Sequence, residues 1–243
     1  LSDQLLARGF DPSRAGTAPA TSIRIDLTPA VDELRRGLSK SNRRRTRGWA
    51  QRGLTVRLGG LADLPAVADL VAGTAAHQEL EPVGLEYLTA LYEELAPGGQ
   101  VQVFLAEVDG APVAVELCTG CGGVLKSRLT GMARGGPAAK SGVPAALVWN
   151  AMVWAKANGY HAFDFGGIDA ELVHRIPAGP LDRLPGPAAF QASFGGQPFR
   201  YPPPVELLSS PLQRVGYDLA RCSSAGDGLV ASVRRAIRGG TGE

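Results

Sequence analysis

The fold turns on residues 124–167, which read VLKSRLT (Val124–Thr130), GMARGGPAAKSGVP (Gly131–Pro144), AALVWNAMVWAKA (Ala145–Ala157), NG and YHAFDFGG (Tyr160–Gly167). The first piece has the length and β-branched content of a strand. Ala145–Ala157 is apolar nearly all round, which marks a buried helix, and Asn158-Gly159 stops it. Tyr160 to Phe165 is the next strand. Strand, buried helix, strand is a βαβ unit, so its two strands are expected to run parallel.

Upstream, Val101–Val108 and Pro112–Thr119 flank Asp109-Gly110, a hairpin turn, and lead into Val124 as a meander. Antiparallel strands feeding a parallel step give a mixed sheet, and ligand chemistry gathers where such strands end. Two helices precede the meander, one from Leu61 to about His77 and one over residues 84–96. Gly59-Gly60 is the candidate boundary before them. Further upstream, Ser22–Leu27 alternates as a strand, and Thr28-Pro29 opens a helix with Thr28 as its N-cap. A turn signal at Ser39–Asn42 precedes a helical piece, Arg43–Arg52, and the strand Leu54–Leu58. Residues 168–189 read as irregular, a short strand follows near Phe199–Tyr201, and the tail Leu207–Ile237 reads as mainly helical. No internal repeat stands out.

Hydrophobic residues make up 44% of the 243 and charged ones 20%, enough for a buried core and against disorder. No apolar run reaches the length of a membrane span, and no signal-peptide pattern opens the chain. Three cysteines make no disulfide framework. A cytoplasmic protein without integral membrane contact is expected, and an opening Leu in place of Met suggests missing upstream sequence. The net charge of +2 hides segregation: residues 1–58 hold twelve Arg or Lys against five acids. Charge gathered at one end suits an anionic partner.

Arg36, Lys40, Arg43 and Arg47 step by four, three and four residues. On one continuous helix they would lie within a band of about 60°, a stripe suited to phosphate. The plain alternative is a solvated helix face. Cys118 and Cys121 have the spacing of a zinc or redox half-site, yet no second pair accompanies them, so no metal is expected. His77, His161 and His174 stand in no nucleophile–base pattern, which argues against a hydrolase triad. Asp164 alternates with Phe163 and Phe165 and precedes two glycines that permit close approach of a ligand or another backbone. A second such cluster is Phe190–Gly196 (FQASFGG); both have the plainer reading of tight bends. Asn150 is the one strongly polar residue within Ala145–Ala155, and a buried amide needs a partner.

In combination these pieces resemble the FemABX group of aminoacyl-tRNA-dependent peptidyltransferases, within the GNAT acyltransferase superfamily. The matching residues are Ile25-Asp26-Leu27, the block Leu38–Arg44 running on to Gly53–Val56, and Trp154-Ala155 with Gly159-Tyr160. Phe163–Gly167, Phe190–Gly196 and Tyr201 are the most specific. The resemblance implies an α/β, GNAT-like acyltransferase fold with a mixed central sheet. Residues 1–58 would form the end of a partial first subdomain and 59–202 a complete second one, with 203–243 a mainly helical tail. It also implies transfer of an amino acid from aminoacyl-tRNA to an amine, with no cofactor. The acceptor would be a peptidoglycan precursor or a peptide-like metabolite.

Carried onto this chain, the resemblance puts Phe190, Gln191 and Asp164 at the transfer site. Lys126, Arg128, Asn150, Gly166 and Gly167 are expected as acceptor contacts, and Arg36, Lys40, Arg43, Arg44 and Arg47 as tRNA contacts. One departure stands out: the family has a lysine after the phenylalanine, where this chain has Gln191. The amide is expected to donate a hydrogen bond in the lysine's place, without its charge. Two other functions compete. One is a coenzyme-A-dependent GNAT acyltransferase, against which Pro137 in the loop Arg134–Ala139 removes a backbone donor needed for pyrophosphate. The other is a degenerate fold kept as an RNA- or partner-binding module.

Overall fold

In the chain's first half, local chemistry sets where each element starts. A computed structural model describes residues 2–13, 19–49, 53–135, 142–173 and 184–207. The loop with Pro137, His174, the end of the second basic helical piece and the tail beyond 207 lie outside the described residues. Helix α1 (Ser2–Leu6) and the two-residue β1 (Asp11–Pro12) lead to β2 (Thr21–Asp26). Helix α2 (Val31–Gly37) starts later than Thr28-Pro29 suggested. The Asp26 carboxylate accepts from the Thr28 amide at 2.9 Å, and Glu33 reaches back to the Ala30 amide at 3.2 Å. These local bonds hold Thr28–Ala30 outside the helix.

The basic stretch is broken, not continuous. Leu38 and Ser39 are extended, and Ser39 caps a new helix, α3 (Lys40–Arg45), by accepting from the Asn42 amide at 3.2 Å. Strand β3 (Leu54–Gly59), a 3₁₀ turn (Leu61–Asp63), α4 (Leu64–His77) and α5 (Leu85–Leu95) come next. The meander is β4 (Val101–Val108), β5 (Ala111–Cys121) and β6 (Val124–Met132), with left-handed Asp109 and Gly110 making its first turn. After it stand α6 (Val143–Ala157), β7 (Ala162–Asp164), α7 (Ala170–Val173), α8 (Gly186–Ala192), β8 (Gln197–Arg200) and β9 (Val205–Glu206). Two of these correct the sequence reading. Residues 168–189 contain α7 and the start of α8, and Phe190–Ala192 are helical and not a bend.

Seven strands form one mixed sheet in the order β3-β4-β5-β6-β7-β2-β8, antiparallel throughout except for the parallel pair β6 and β7. The α6 crossover thus makes the expected βαβ unit. Residues 1–58 supply β2 and β3 to the same sheet that carries β4 to β7. One face packs on α6, α2 and α8 through Ile25, Leu38, Phe104, Leu125, Met152 and Phe163. The other packs on α4 and α5 through Val67, Val71, Leu88, Val103 and Leu117. Layers on both faces leave the central strands without a solvent side. Among the described residues no helix is long and apolar enough to cross a membrane.

Candidate active site

Where β6 and β7 run parallel, with α6 and α8 over the sheet, a cavity of about 470 Å³ opens. Leu147, Val148, Phe165 and Phe190 give it apolar walls, while Arg128 and Arg134 stand at its exposed rim. Glu116 on β5 also lines it and is 2% exposed. Burial pushes the Glu116 carboxyl up to about 8, only partly opposed by the Ser127 hydroxyl, its hydrogen-bonding neighbour. Glu116 Oε1 has no partner among the described residues. A β-bulge in the β5–β6 pairing pairs Leu117 with Leu129 and Cys118 with Ser127, leaving Arg128 as the extra residue. The bulge re-aims side chains locally: Ser127 and Arg128 both reach the cavity.

Gln191, on α8, is fixed in a way the sequence does not reveal. Its Nε2 donates to the Gly167 carbonyl at 3.2 Å, and its Oε1 is buried without a partner among the described residues. One of the two Nε2 hydrogens is therefore already engaged, which fixes the orientation of the amide, and its buried unpaired atom is an acceptor. Phe190, half-buried, meets Phe194 edge-to-face at 5.1 Å. Helix α8 is docked on the basic corner by the 1% exposed Asn42, whose Nδ2 donates to Ser193 Oγ at 2.6 Å. The Ser39 amide also donates to the Ser193 carbonyl at 2.8 Å. Gly195 has φ +81 and presses on the Gly37 carbonyl, where a Cβ would clash. The two sequence blocks Leu38–Arg44 and Phe190–Gly196 are thus the two sides of one interface.

Asp164, expected at the transfer site, lies outside the cavity lining. It is 1% exposed and has both oxygens occupied. Ser22 Oγ (2.6 Å) and the Gly166 amide (2.8 Å) donate to Oδ1. Arg24 Nη2 donates to Oδ2 at 2.9 Å, and Tyr201 Oη lies 2.7 and 2.8 Å from the two oxygens. Burial alone would raise its pKa, but these bonds outweigh burial and hold it below the usual carboxylate value. Tyr201 is pushed up to about 12 by burial and by its bond to Asp164. Asp164 therefore holds the turn at Gly166-Gly167, and both glycines line the cavity. Gly166 has φ +88, and a Cβ there would strike the Ser127 carbonyl.

The remaining expected residues scatter. Arg128 is at the cavity, and its Nη2 donates to the Tyr87 hydroxyl. Lys126 points elsewhere, its Nζ 4.7 Å from the Tyr201 ring centre in a separate cleft against Pro202–Pro204. Asn150 does not line the cavity; its amide donates to the Ala146 carbonyl at 2.8 Å, one turn back on α6. Arg36, Lys40, Arg44 and Arg47 are exposed, and Arg36 lies 3.7 Å from Glu33. Arg43 turns inward to donate to the Arg36 and Leu38 carbonyls at 2.8 and 2.5 Å, closing the end of α2. Cys118 is buried in the core and Cys121 exposed. Among the described residues no group of three His, Cys, Asp or Glu is placed to hold a metal.

Sequence reasoning missed Glu116. Its signal was a lone carboxylate inside the run Ala114-Val115-Glu116-Leu117-Cys118, apolar on both sides of the strand. The family described as "Acetyltransferase (GNAT) domain" matches residues 35–172. The crystal structure of FemX has a TM-score of 0.71 at 16% identity, over 88% of this chain and 70% of that one. The structure of L-PGS from Bacillus licheniformis gives 0.50 at 16% identity, over 88% of this chain and 68% of that one. At these identities the likeness is one of fold. No curated protein sequence matches the chain.

Proposed function

The chain belongs to the GNAT acetyltransferase-domain family, and from that premise we propose that it moves an aminoacyl group from aminoacyl-tRNA onto an amine, forming an amide bond. The observation that carries this reading is Glu116: a buried carboxyl with a partnerless oxygen, in the wall of a cavity that also holds Phe190 and Gln191. An amine reaches a cavity at neutral pH as an ammonium and must lose a proton before it attacks. Glu116 takes that proton, and a pKa raised to about 8 suits a base working near neutrality. The amine nitrogen then forms its bond to the ester carbonyl carbon. As the tetrahedral adduct collapses, the bond from that carbon to the ribose oxygen breaks. The proton on Glu116 passes to the departing oxygen and the nitrogen releases its second proton to water, so one proton is released overall and no cofactor enters the balance.

Phe190 offers a ring to the terminal base of the tRNA, since stacking on an aromatic face is indifferent to sequence. Lys40, Arg44 and Arg47 meet the phosphates behind it; their exposure on the corner that Asn42 ties to α8 supports this role. The acceptor is a peptidoglycan precursor or a peptide-like metabolite. Coenzyme A as acyl carrier is disfavoured by Pro137, which lacks the amide that a pyrophosphate-binding turn would use.

Single-turnover transfer from a pool of radiolabelled aminoacyl-tRNAs to candidate amines tests this, beside an acetyl-coenzyme A control. Label arriving in a stable amide supports the reading and names the amino acid. Salt-sensitive tRNA binding without transfer points instead to a binding module, and turnover only with acetyl-coenzyme A overturns the proposal.

A further inference from the structure

Two residues that line the cavity, Glu116 and Gln191, each carry a buried Oε1 without a hydrogen-bond partner among the described residues. The Gln191 amide is held against exchanging its oxygen and nitrogen, because Nε2 donates to the Gly167 carbonyl at 3.2 Å and a flip would set oxygen against oxygen. The protein thus offers two acceptors, and a buried acceptor left unpaired is costly. A carboxylate, a phosphate or an ester oxygen brings only further acceptors and leaves Gln191 Oε1 unpaired. An alcohol has one hydrogen to give. A primary ammonium has three, enough for one to each oxygen, and its charge favours the ionised form of Glu116. At the rim of the same cavity stand two exposed guanidinium groups, Arg128 and Arg134. The cavity is therefore polarised, with acceptors inside, apolar walls between, and cations at the mouth.

We propose that this cavity binds a small primary amine carrying an anionic group, its ammonium on Glu116 Oε1 and Gln191 Oε1 and its anion at Arg128 and Arg134. The inference deepens the acyl-transfer reading and rests on it only in naming this ligand as the acceptor. On this view Gln191 is a specificity residue. In the position where the resembled family has a lysine, a neutral acceptor turns a site for negative charge into one for an ammonium. The volume of about 470 Å³ has room for a ligand of dipeptide size, within the range of small-molecule sites.

Calorimetric binding to the full chain, with no tRNA present, tests the inference with four probes. These are alanyl-alanine, its N-acetyl derivative, its C-terminal amide, and lactyl-alanine, which has a hydroxyl for the ammonium. Alanyl-alanine is expected to bind at least about 30-fold more tightly than the acetyl and lactyl compounds, and about fivefold more tightly than the amide. Gln191→Leu should weaken alanyl-alanine about tenfold and leave lactyl-alanine unchanged, and Gln191→Lys should abolish alanyl-alanine binding. The near-isosteric Glu116→Gln should also weaken it about tenfold, with folding checked by circular dichroism. Equal binding of the acetyl or lactyl probe, no binding of any probe by folded protein, or indifference to Gln191→Leu overturns the inference. A parallel arm with a non-hydrolysable aminoacyl-adenosine separates the two sources of ammonium. If it alone binds and depends on Gln191, the oxygens serve the acyl donor and the acceptor assignment falls. Selective binding without transfer would remove the tRNA reading and keep this one; transfer without selectivity would do the reverse.

Discussion

Asp164 and Glu116 are carboxylates buried in the same sheet, two strands apart, and they end in opposite states. Asp164 has donors from Ser22, Arg24, Gly166 and Tyr201 and is held ionised. Glu116 has the Ser127 hydroxyl, one empty oxygen and a cavity, and burial raises it to about 8. Equal burial therefore says nothing about role. What separates them is whether the protein itself completes the hydrogen bonds or leaves them for a ligand.

The sharpest way to break that contrast is to remove each charge without changing shape. Glu116→Gln keeps the volume and loses the base, so transfer should fall about 10²–10³-fold while the urea midpoint stays or rises. The expected separation is kinetic loss without structural loss, measured by single-turnover transfer and urea unfolding on the same preparation. An unchanged rate would return Glu116 to the status of a trapped core residue.

Asp164→Asn should do the converse. It leaves the Arg24 guanidinium, 26% exposed, without its counter-charge, and one amide hydrogen faces donors that expect an acceptor. A loss of about 3 kcal/mol in urea unfolding is expected, with transfer lost only as the Gly166-Gly167 turn loosens. A variant of normal stability and no activity would make Asp164 catalytic after all.

Legibility in the sequence follows the same division. The meander and the βαβ step were readable because they rest on local signals: alternation, Asp109-Gly110, and an all-apolar helix closed by Asn158-Gly159. The helix break was signalled by Ser39–Asn42, since a cap acts within three residues. The surroundings of Asp164 were not legible because its partners Ser22, Arg24 and Tyr201 lie 142, 140 and 37 positions away. Alternation placed its side chain on the correct face and could not say who waited there. Glu116 was overlooked although Ala114, Val115, Leu117 and Cys118 imply a strand covered on both sides, which obliges any carboxylate in it to be buried. Gln191 read as a donor because only the fold brings the Gly167 carbonyl to its nitrogen.

Titration gives a third comparison, with signs opposed. Glu116 has a folded pKa raised from 4.5 to about 8, so the folded state binds the extra proton. Its contribution to stability is complete below 4.5 and is lost as pH rises through 8. Asp164 has a lowered folded pKa, so its contribution is present above 3.8 and is lost as pH falls through the lower folded value. Stability should therefore fall by about 3–4 kcal/mol from pH 5 to pH 8 in the wild type, and this slope should flatten in Glu116→Gln. A slope that survives the substitution would assign it to another group.

The smallest effects test the same principle on two neighbouring arginines. Arg43 spends its guanidinium on the Arg36 and Leu38 carbonyls, whereas Arg44 is exposed beside it. Arg43→Ala uncovers the end of α2 and should cost about 1 kcal/mol in urea unfolding, while Arg44→Ala should leave stability within about 0.5 kcal/mol. For tRNA the order reverses. Arg44→Ala should lower the slope of log affinity against log salt by about one phosphate contact, and Arg43→Ala should leave that slope alone. The salt slope is the deciding measurement, because a helix that merely loosens weakens binding without changing how many counterions binding releases.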